Sequence, residues 1–296
     1  MPLPPPPPAT PSPQQTVSSC YRHPNRPAGR QCTRCGKHAC AECLVQASIG
    51  SHCLDCAKAA RPDVKTRAVF WNARQPALVT NVIIAINVLA FVATVLNDGR
   101  AIGGRATDGH VNYGLFGPAI GYLDEYYRIV TSGFMHFGII HIGFNMYLLY
   151  MLGQMLEPTL GRVKFTLVYF AGLLGGSAGA LLLSPNSLSA GASGAVFGLM
   201  ALAFVGYYLN GINPMNTSIG SLLLLNLFIT FVVSNISIGG HLGGAVAGGL
   251  CAFTVMAPRH KKMPTWAAYA GPIAICAIAI VICVVAANNS VPAYLG

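Results

Sequence analysis

Seven stretches of the chain run almost without polar interruption, at about 77–97, 137–157, 165–184, 193–209, 218–234, 239–257 and 266–287. A helix rises about 1.5 Å per residue and needs roughly 20 apolar residues to cross about 30 Å of hydrocarbon. Each stretch is therefore predicted to be a membrane-spanning helix. The first 76 residues follow other patterns. Residues 1–19, "MPLPPPPPATPSPQQTVSS", are proline-rich and too poor in apolar side chains to build a core, so they are expected to form an extended, disordered tail. Residues 20–60 are dense in cysteine, and 61–76 read as a linker. No short apolar run behind basic residues resembles a secretory signal, so the first crossing itself is expected to direct insertion.

Composition supports the same reading. Of 296 residues, 53 % are hydrophobic and only 9 % charged, whereas about a quarter of a typical soluble domain is charged. The fold class expected is an all-α polytopic membrane protein. Residues 1–75 carry ten Lys/Arg against three Asp/Glu. Basic residues in short loops stay on the cytoplasmic side, and with the amino terminus inside, the inner loops hold Arg162, Lys164, Arg259, Lys261 and Lys262. Outer loops then hold Arg100, Arg105 and Arg128. The expected topology is amino terminus cytoplasmic and carboxyl terminus outside, in the plasma membrane. The net charge of +10 is first a topology signal and an attraction to the anionic lipid bilayer. Nucleic-acid binding is disfavoured, since the basic residues are scattered among the cysteines with no aromatic stacking platform.

Between residues 20 and 56, Cys20/His23, Cys32/Cys35, Cys40/Cys43 and Cys53/Cys56 form four pairs, each separated by two residues. That spacing lets one turn grip an ion with two ligands, and two pairs close a tetrahedral site. Eight donors match two structural Zn2+ ions with no position open for catalysis. The alternative, a disulfide framework, conflicts with a reducing cytoplasm. His52 is a substitute ligand, His38 a surface residue. Cys251, Cys276 and Cys283 lie in apolar runs and read as small packing side chains.

After Glu157 the chain contains no Asp or Glu, so chemistry in the later helices rests on hydroxyl, amide and imidazole groups. Ionisable residues within a membrane are costly and point to function. The candidates are His136, His141 and Asn145 in "FMHFGIIHIGFNMYLLY", Ser193 in "SAGASGAVFG", and His241 in "ISIGGHLGGAVAGG"; His110 and His260 fall in loops. His141 with Asn145, Ser193 and His241 each occur in the first turns of the second, fourth and sixth helices. These three run from outside to inside, so all lie within roughly the outer third of the bilayer. His141 and Asn145, four residues apart, share a helical face. Ser193 opens a helix, where free N–H groups favour negative charge. Gly244 and Gly248 make a small-residue stripe along the His241 helix. Ser193 as nucleophile, His241 as base, and His141 with Asn145 as oxyanion donors compose an acyl-transfer site. Phe197 is placed to offer its ring to His241.

"HIGFN", "GASG" and "GGHLGGAVAGG", in this order and spacing and with "YYRIVTSGFMHFG" in the long first loop, resemble the rhomboid intramembrane serine proteases. The resemblance implies a six-helix core (77–257) with a water-filled cavity opening outward, plus a seventh helix and tail (258–296). It implies Ser193 as nucleophile, His241 as its base, and help from His141 and Asn145 at the oxyanion. Substrates would be single-pass transmembrane proteins cut near the outer face, and Glu157 matches a structural acidic position. Tyr127 stands where the family usually has Trp, and Phe197 where many bacterial members have Tyr. The four ligand pairs resemble cross-braced B-box and RING-type fingers, in which the first pair joins the third and the second joins the fourth; sequential pairing is the other arrangement. A protein partner for this module is a further expectation. The alternative function is a noncatalytic rhomboid-like scaffold that binds transmembrane helices. A transporter is disfavoured by the absence of charges in the later helices and of a half-to-half repeat.

Overall fold

A computed structural model describes residues 18–73, 75–233, 236–256 and 263–290. Most of the proline-rich tail, the residues Arg259, His260, Lys261 and Lys262 expected in an inner loop, and the end of the carboxyl tail lie outside the described residues. The chain divides into two compact units, 1–74 and 75–296.

The first unit contains two short hairpins. Strand β1 (Arg30–Gln31) pairs antiparallel with β2 (His38–Ala39), and β3 (Leu44–Gln46) pairs with β4 (Ser51–Cys53). Helices α1 (Leu54–Ala59) and α2 (Val64–Ala73) follow. The interior is made largely of the ligands themselves: Cys20, Cys40 and Cys43 are buried with Ala39, against partly buried Tyr21, Leu44 and Leu54. Such a core is too small to hold a fold of this size by apolar burial alone.

The second unit is a helical bundle. Helix α3 (Leu78–Asn97) is followed by the short helices α4 (Asp108–Tyr113), α5 (Gly117–Leu123) and α6 (Arg128–Thr131) in the first long connection. Then come α7 (Ile139–Leu160), α8 (Arg162–Leu183), α9 (Ser193–Leu209), α10 (Ser218–Val232), α11 (Ile238–Val255) and α12 (Ala267–Asn288). Five of these, α3, α7, α8, α11 and α12, have the length and apolarity to cross a bilayer, while α9 and α10 are apolar but shorter, at 17 and 15 residues. The protein is a multi-pass, all-α membrane protein. Two-thirds of the apolar window of α8 is buried, against 22 % for α3 and α12, so α8 is central and the other two are peripheral.

Glycine sets how closely the central helices approach. A Cβ at Gly244 would meet the backbone of Gly194, and one at Gly248 the backbone of Gly198, so α11 lies directly on α9. A Cβ at Gly239 would meet the Gly179 carbonyl, which brings α11 equally close to α8. Small residues permit this contact where lipid supplies no hydrophobic drive between helices. On the other side of α8, the thiols of Cys276 and Cys283 on α12 approach the carbonyls of Leu167 and Leu174 at 4.0 and 3.9 Å. Tyr122 on α5 donates to the Ser290 carbonyl at 2.7 Å, which ties the first connection to the end of α12.

Glu157 explains how the first crossing is seated. Its carboxylate accepts from the backbone N–H groups of Val79 and Thr80, at 2.9 and 2.8 Å, and from the Thr80 hydroxyl at 2.7 Å. The otherwise orphaned donors at the start of α3 are thereby capped by a carboxylate near the end of α7.

Candidate active site

The loop before α9 carries the serine and is held on several sides. Leu115 and Ser189 exchange backbone hydrogen bonds, the Gly117 N–H donates to the Pro185 carbonyl, and the Gly191 N–H donates to Ser132. The Ala192 N–H donates to Nε2 of the buried His136 at 3.4 Å. Helix α9 then begins at Ser193, with no side-chain cap at Ala192. Ser193 lines a pocket with Gly191, Gly194, Ser237 and Gly240.

Gly191 marks the meeting point. Its φ of +137° is one that side-chain-bearing residues rarely adopt, and a Cβ there would lie 2.9 Å from Nε2 of His141 and 3.7 Å from Oγ of Ser193. The two functional groups thus converge on the space a side chain would fill. The His141 ring is oriented by the Phe137 N–H, which donates to its Nδ1 at 3.3 Å. With Nδ1 accepting, a neutral ring carries its proton on Nε2 and presents a donor toward that space. Asn145, buried one turn further along α7, donates one Nδ2 hydrogen to the His141 carbonyl at 3.0 Å and keeps a second.

His241 reaches the site from α11. Its ring stacks on Phe197 with centroids 4.1 Å apart and planes 20° apart, which brings it against α9 one turn past Ser193. Its Nδ1 lies 2.7 Å from the hydroxyl of Thr230 on α10. No hydrogen bond joins Ser193 to His241 among the described residues; catalytic hydrogen bonds are often long before substrate binds.

Several residues that hold this site, or the way they hold it, are not apparent from sequence. Thr230 is one. His110, expected in a loop, is fully buried on α4, where its Nε2 meets the His136 carbonyl at 2.8 Å and its ring stacks on Phe137 at 4.5 Å. Arg128 is 5 % exposed, and its guanidinium reaches the carbonyls of Val111 and Gly114 and the carboxylate of Glu125. It braces the first connection from inside. The neighbouring Tyr127 donates to the Asn112 carbonyl at 3.1 Å, so the ring standing in the usual Trp position serves the same brace.

In the first unit the ligand pairs gather as first with third and second with fourth. Donor atoms of Cys20, His23, Cys40 and Cys43 lie within 4.8 Å of one another, as do those of Cys32, Cys35, Cys53 and Cys56. Nδ1 of His23 is 3.9, 3.5 and 3.4 Å from the sulfurs of Cys20, Cys40 and Cys43. Cys35 and Cys53 sulfurs are 3.7 Å apart. Zinc–sulfur bonds of about 2.3 Å and zinc–nitrogen bonds of about 2.0 Å in a tetrahedron require sulfur–sulfur and sulfur–nitrogen separations of about 3.8 and 3.5 Å, so both clusters fit that ion. Backbone N–H groups, foremost that of Cys53, bring the Cys32 thiol down to about 6 despite its burial, which favours the thiolate a metal needs. His52 and His38 belong to neither cluster, and His38 instead pairs with Gln31 at 3.0 Å.

A rhomboid domain model matches residues 123–258, the stretch from α6 to α11 that carries Ser193, His141, Asn145 and His241. A relative named putative rhomboid protease YdcA, from Bacillus subtilis (strain 168), is 31 % identical over 147 residues, which cover 47 % of this chain and 71 % of that protein. The chain belongs to the rhomboid family. Rhomboid protease GluP of the same organism is 32 % identical over 198 residues, 66 % of this chain but only 38 % of the relative. A rhomboid-type serine protease 2 of Emericella nidulans is 32 % identical over 137 residues, 43 % of this chain and 27 % of its own length. This rhomboid thus spans well under half the length of two of these three relatives.

Proposed function

We propose that this rhomboid is an intramembrane serine endopeptidase that cleaves transmembrane segments of membrane proteins near the outer membrane face. The observation that carries the reading is the convergence of His141 Nε2 and Ser193 Oγ on the empty Cβ position of Gly191; the stacking of His241 on Phe197 beside it supports the assignment of a base.

In this mechanism Ser193 Oγ attacks the carbonyl carbon of the scissile peptide and its proton passes to Nε2 of His241. The carbonyl π electrons move onto oxygen, where Nε2–H of His141, the free Nδ2–H of Asn145 and the Ser193 backbone N–H meet them. Such donors are aimed where charge develops and contribute about 10²–10³ in rate each. The tetrahedral intermediate collapses, the C–N bond breaks, and the amine leaves with the proton from His241. Water then attacks the acyl-enzyme, again through His241, and Ser193 is regenerated.

Substrates are single-pass transmembrane proteins in the plasma membrane. The amino terminus is cytoplasmic and the carboxyl terminus outside, on the distribution of Lys and Arg. The module at 20–60 holds two Zn2+ ions, one by Cys20, His23, Cys40 and Cys43 and one by Cys32, Cys35, Cys53 and Cys56. Both are structural and supply folding energy, not chemistry.

The test is cleavage of a model single-pass substrate in liposomes by wild type, Ser193→Ala and His241→Ala, with and without chelator. Cleavage abolished by both substitutions and spared by chelator is the result expected. Cleavage that persists in Ser193→Ala overturns the mechanism.

A further inference from the structure

The Thr230 hydroxyl has two close partners and one proton. Its Oγ1 lies 2.7 Å from the Asn226 carbonyl oxygen, four residues back along α10, and 2.7 Å from Nδ1 of His241. A carbonyl oxygen only accepts. Two oxygens at this separation require the hydroxyl proton between them, so the proton in the second contact comes from the imidazole. The ring is therefore the Nδ1–H form, which in a neutral imidazole leaves Nε2 as a bare lone pair. Thr230 is 2 % exposed and His241 9 %, so water competes little for either atom.

Threonines inside helices often bond back to the i−4 carbonyl and do nothing more. Thr94, Thr159 and Thr166 do so here, to Ala90, Met155 and Arg162. Among these four threonines Thr230 alone also hydrogen-bonds an imidazole. The Phe197 stack fixes the plane of the His241 ring, but leaves open which edge faces α10 and which nitrogen holds the proton. The hydroxyl decides both.

We infer that Thr230 is the positioning residue of the base: by accepting the Nδ1–H of His241 it holds the ring in the orientation and tautomer that turn Nε2 toward proton abstraction. The inference rests on the reading of Ser193 and His241 as nucleophile and base. When Nε2 takes the serine proton the ring becomes cationic. The Nδ1–H to Oγ1 bond then becomes charge-assisted and strengthens, with the hydroxyl polarised further by the Asn226 carbonyl. No carboxylate follows Glu157 in the chain, so a neutral hydroxyl fills a role that acidic side chains fill elsewhere.

The test compares kcat and KM of wild type, Thr230→Val and Thr230→Ser in liposomes on a synthetic transmembrane peptide with small residues beside a helix-breaking sequence, with Ser193→Ala as control. Valine keeps the shape and removes the hydroxyl, whereas serine keeps the hydroxyl and removes a methyl. The result expected is a kcat about 10- to 100-fold lower in Thr230→Val, the scale seen when an orienting hydrogen-bond partner of a metal-bound histidine is lost. KM stays near wild type, and Thr230→Ser recovers most of the rate. Unchanged kcat in Thr230→Val, or a loss in Thr230→Ser equal to or larger than in Thr230→Val, overturns the inference. The order of the two variants carries the decision even if either lowers the melting temperature, because serine forfeits more packing than valine. Wild-type cleavage that survives Ser193→Ala would instead overturn the proposed mechanism, so the two failures are distinguishable.

Discussion

At Gly191 a single methyl would collide with His141, its nearest atom 2.8 Å from the ideal Cβ, on a backbone with φ of +137°. Gly191→Ala is expected to shift the imidazole or the loop by a fraction of an ångström to an ångström. Misplacement on that scale costs about 10²-fold in rate, so kcat of cleavage should fall, and the strained backbone should cost about 1–3 kcal/mol and lower the detergent melting temperature as well. Asn145→Ala removes one proposed oxyanion donor and should lower kcat about 10²–10³-fold with KM nearly unchanged. A parallel rise in KM would mean that Asn145 binds the ground state as well. Ser193, His141, Asn145 and His241 stand out in the sequence because each is a costly polar group in an apolar run at a common depth. Thr230 and His110 do not stand out, and Arg128 stands out only as part of a loop motif, not as a buried brace. A lone threonine fits any apolar helix, and the partners of His110 and Arg128, at His136, Val111 and Gly114, are set by how the first connection folds back on itself.

Among the elements, the contact of α11 with α9 decides whether His241 comes near Ser193 at all. Gly248→Leu would drive a side chain into the backbone of Gly198. Overpacking of this kind costs about 1–3 kcal/mol and should lower both melting temperature and activity, whereas Gly143→Ala, where a Cβ meets open space, should leave stability nearly unchanged. At the other face of the bundle, Glu157→Ala leaves the N–H groups of Val79 and Thr80 without their partner. Destabilisation of about 1–3 kcal/mol per orphaned buried donor is expected, read as earlier unfolding in a denaturing-detergent titration. The seven apolar helices were legible to within a few residues because each is an almost unbroken apolar run, although α9 and α10 are shorter than a full bilayer crossing. The short α4, α5 and α6 were not, since their boundaries depend on capping and on long-range contacts such as the Leu115–Ser189 bridge and carry no apolar period.

For the whole molecule, the two units should respond differently to metal loss. The first unit has thiols where a domain would have aliphatic side chains, so chelation is expected to unfold residues 18–60 and release two zinc ions per chain from the two clusters, measured by hydrogen exchange and elemental analysis. Acid should do the same. Backbone N–H groups hold the Cys32 thiol below its ordinary value, so it favours the zinc-binding thiolate at neutral pH; as pH falls, protons return to the cluster thiolates and compete with zinc, and the stability the metal supplies is lost. The helical unit owes its cohesion to glycine-mediated helix contacts and should keep its fold through both treatments. The proposed nucleophile of that unit opens α9, and the most direct measurement is covalent labelling of Ser193 by a fluorophosphonate probe, located by mass spectrometry. Labelling confined to Ser193, absent from Ser193→Ala and strongly slowed in His241→Ala, is the outcome expected. A wild-type protein that cleaves a transmembrane substrate yet leaves Ser193 unlabelled, or labels equally fast without His241, would contradict the mechanism at its centre.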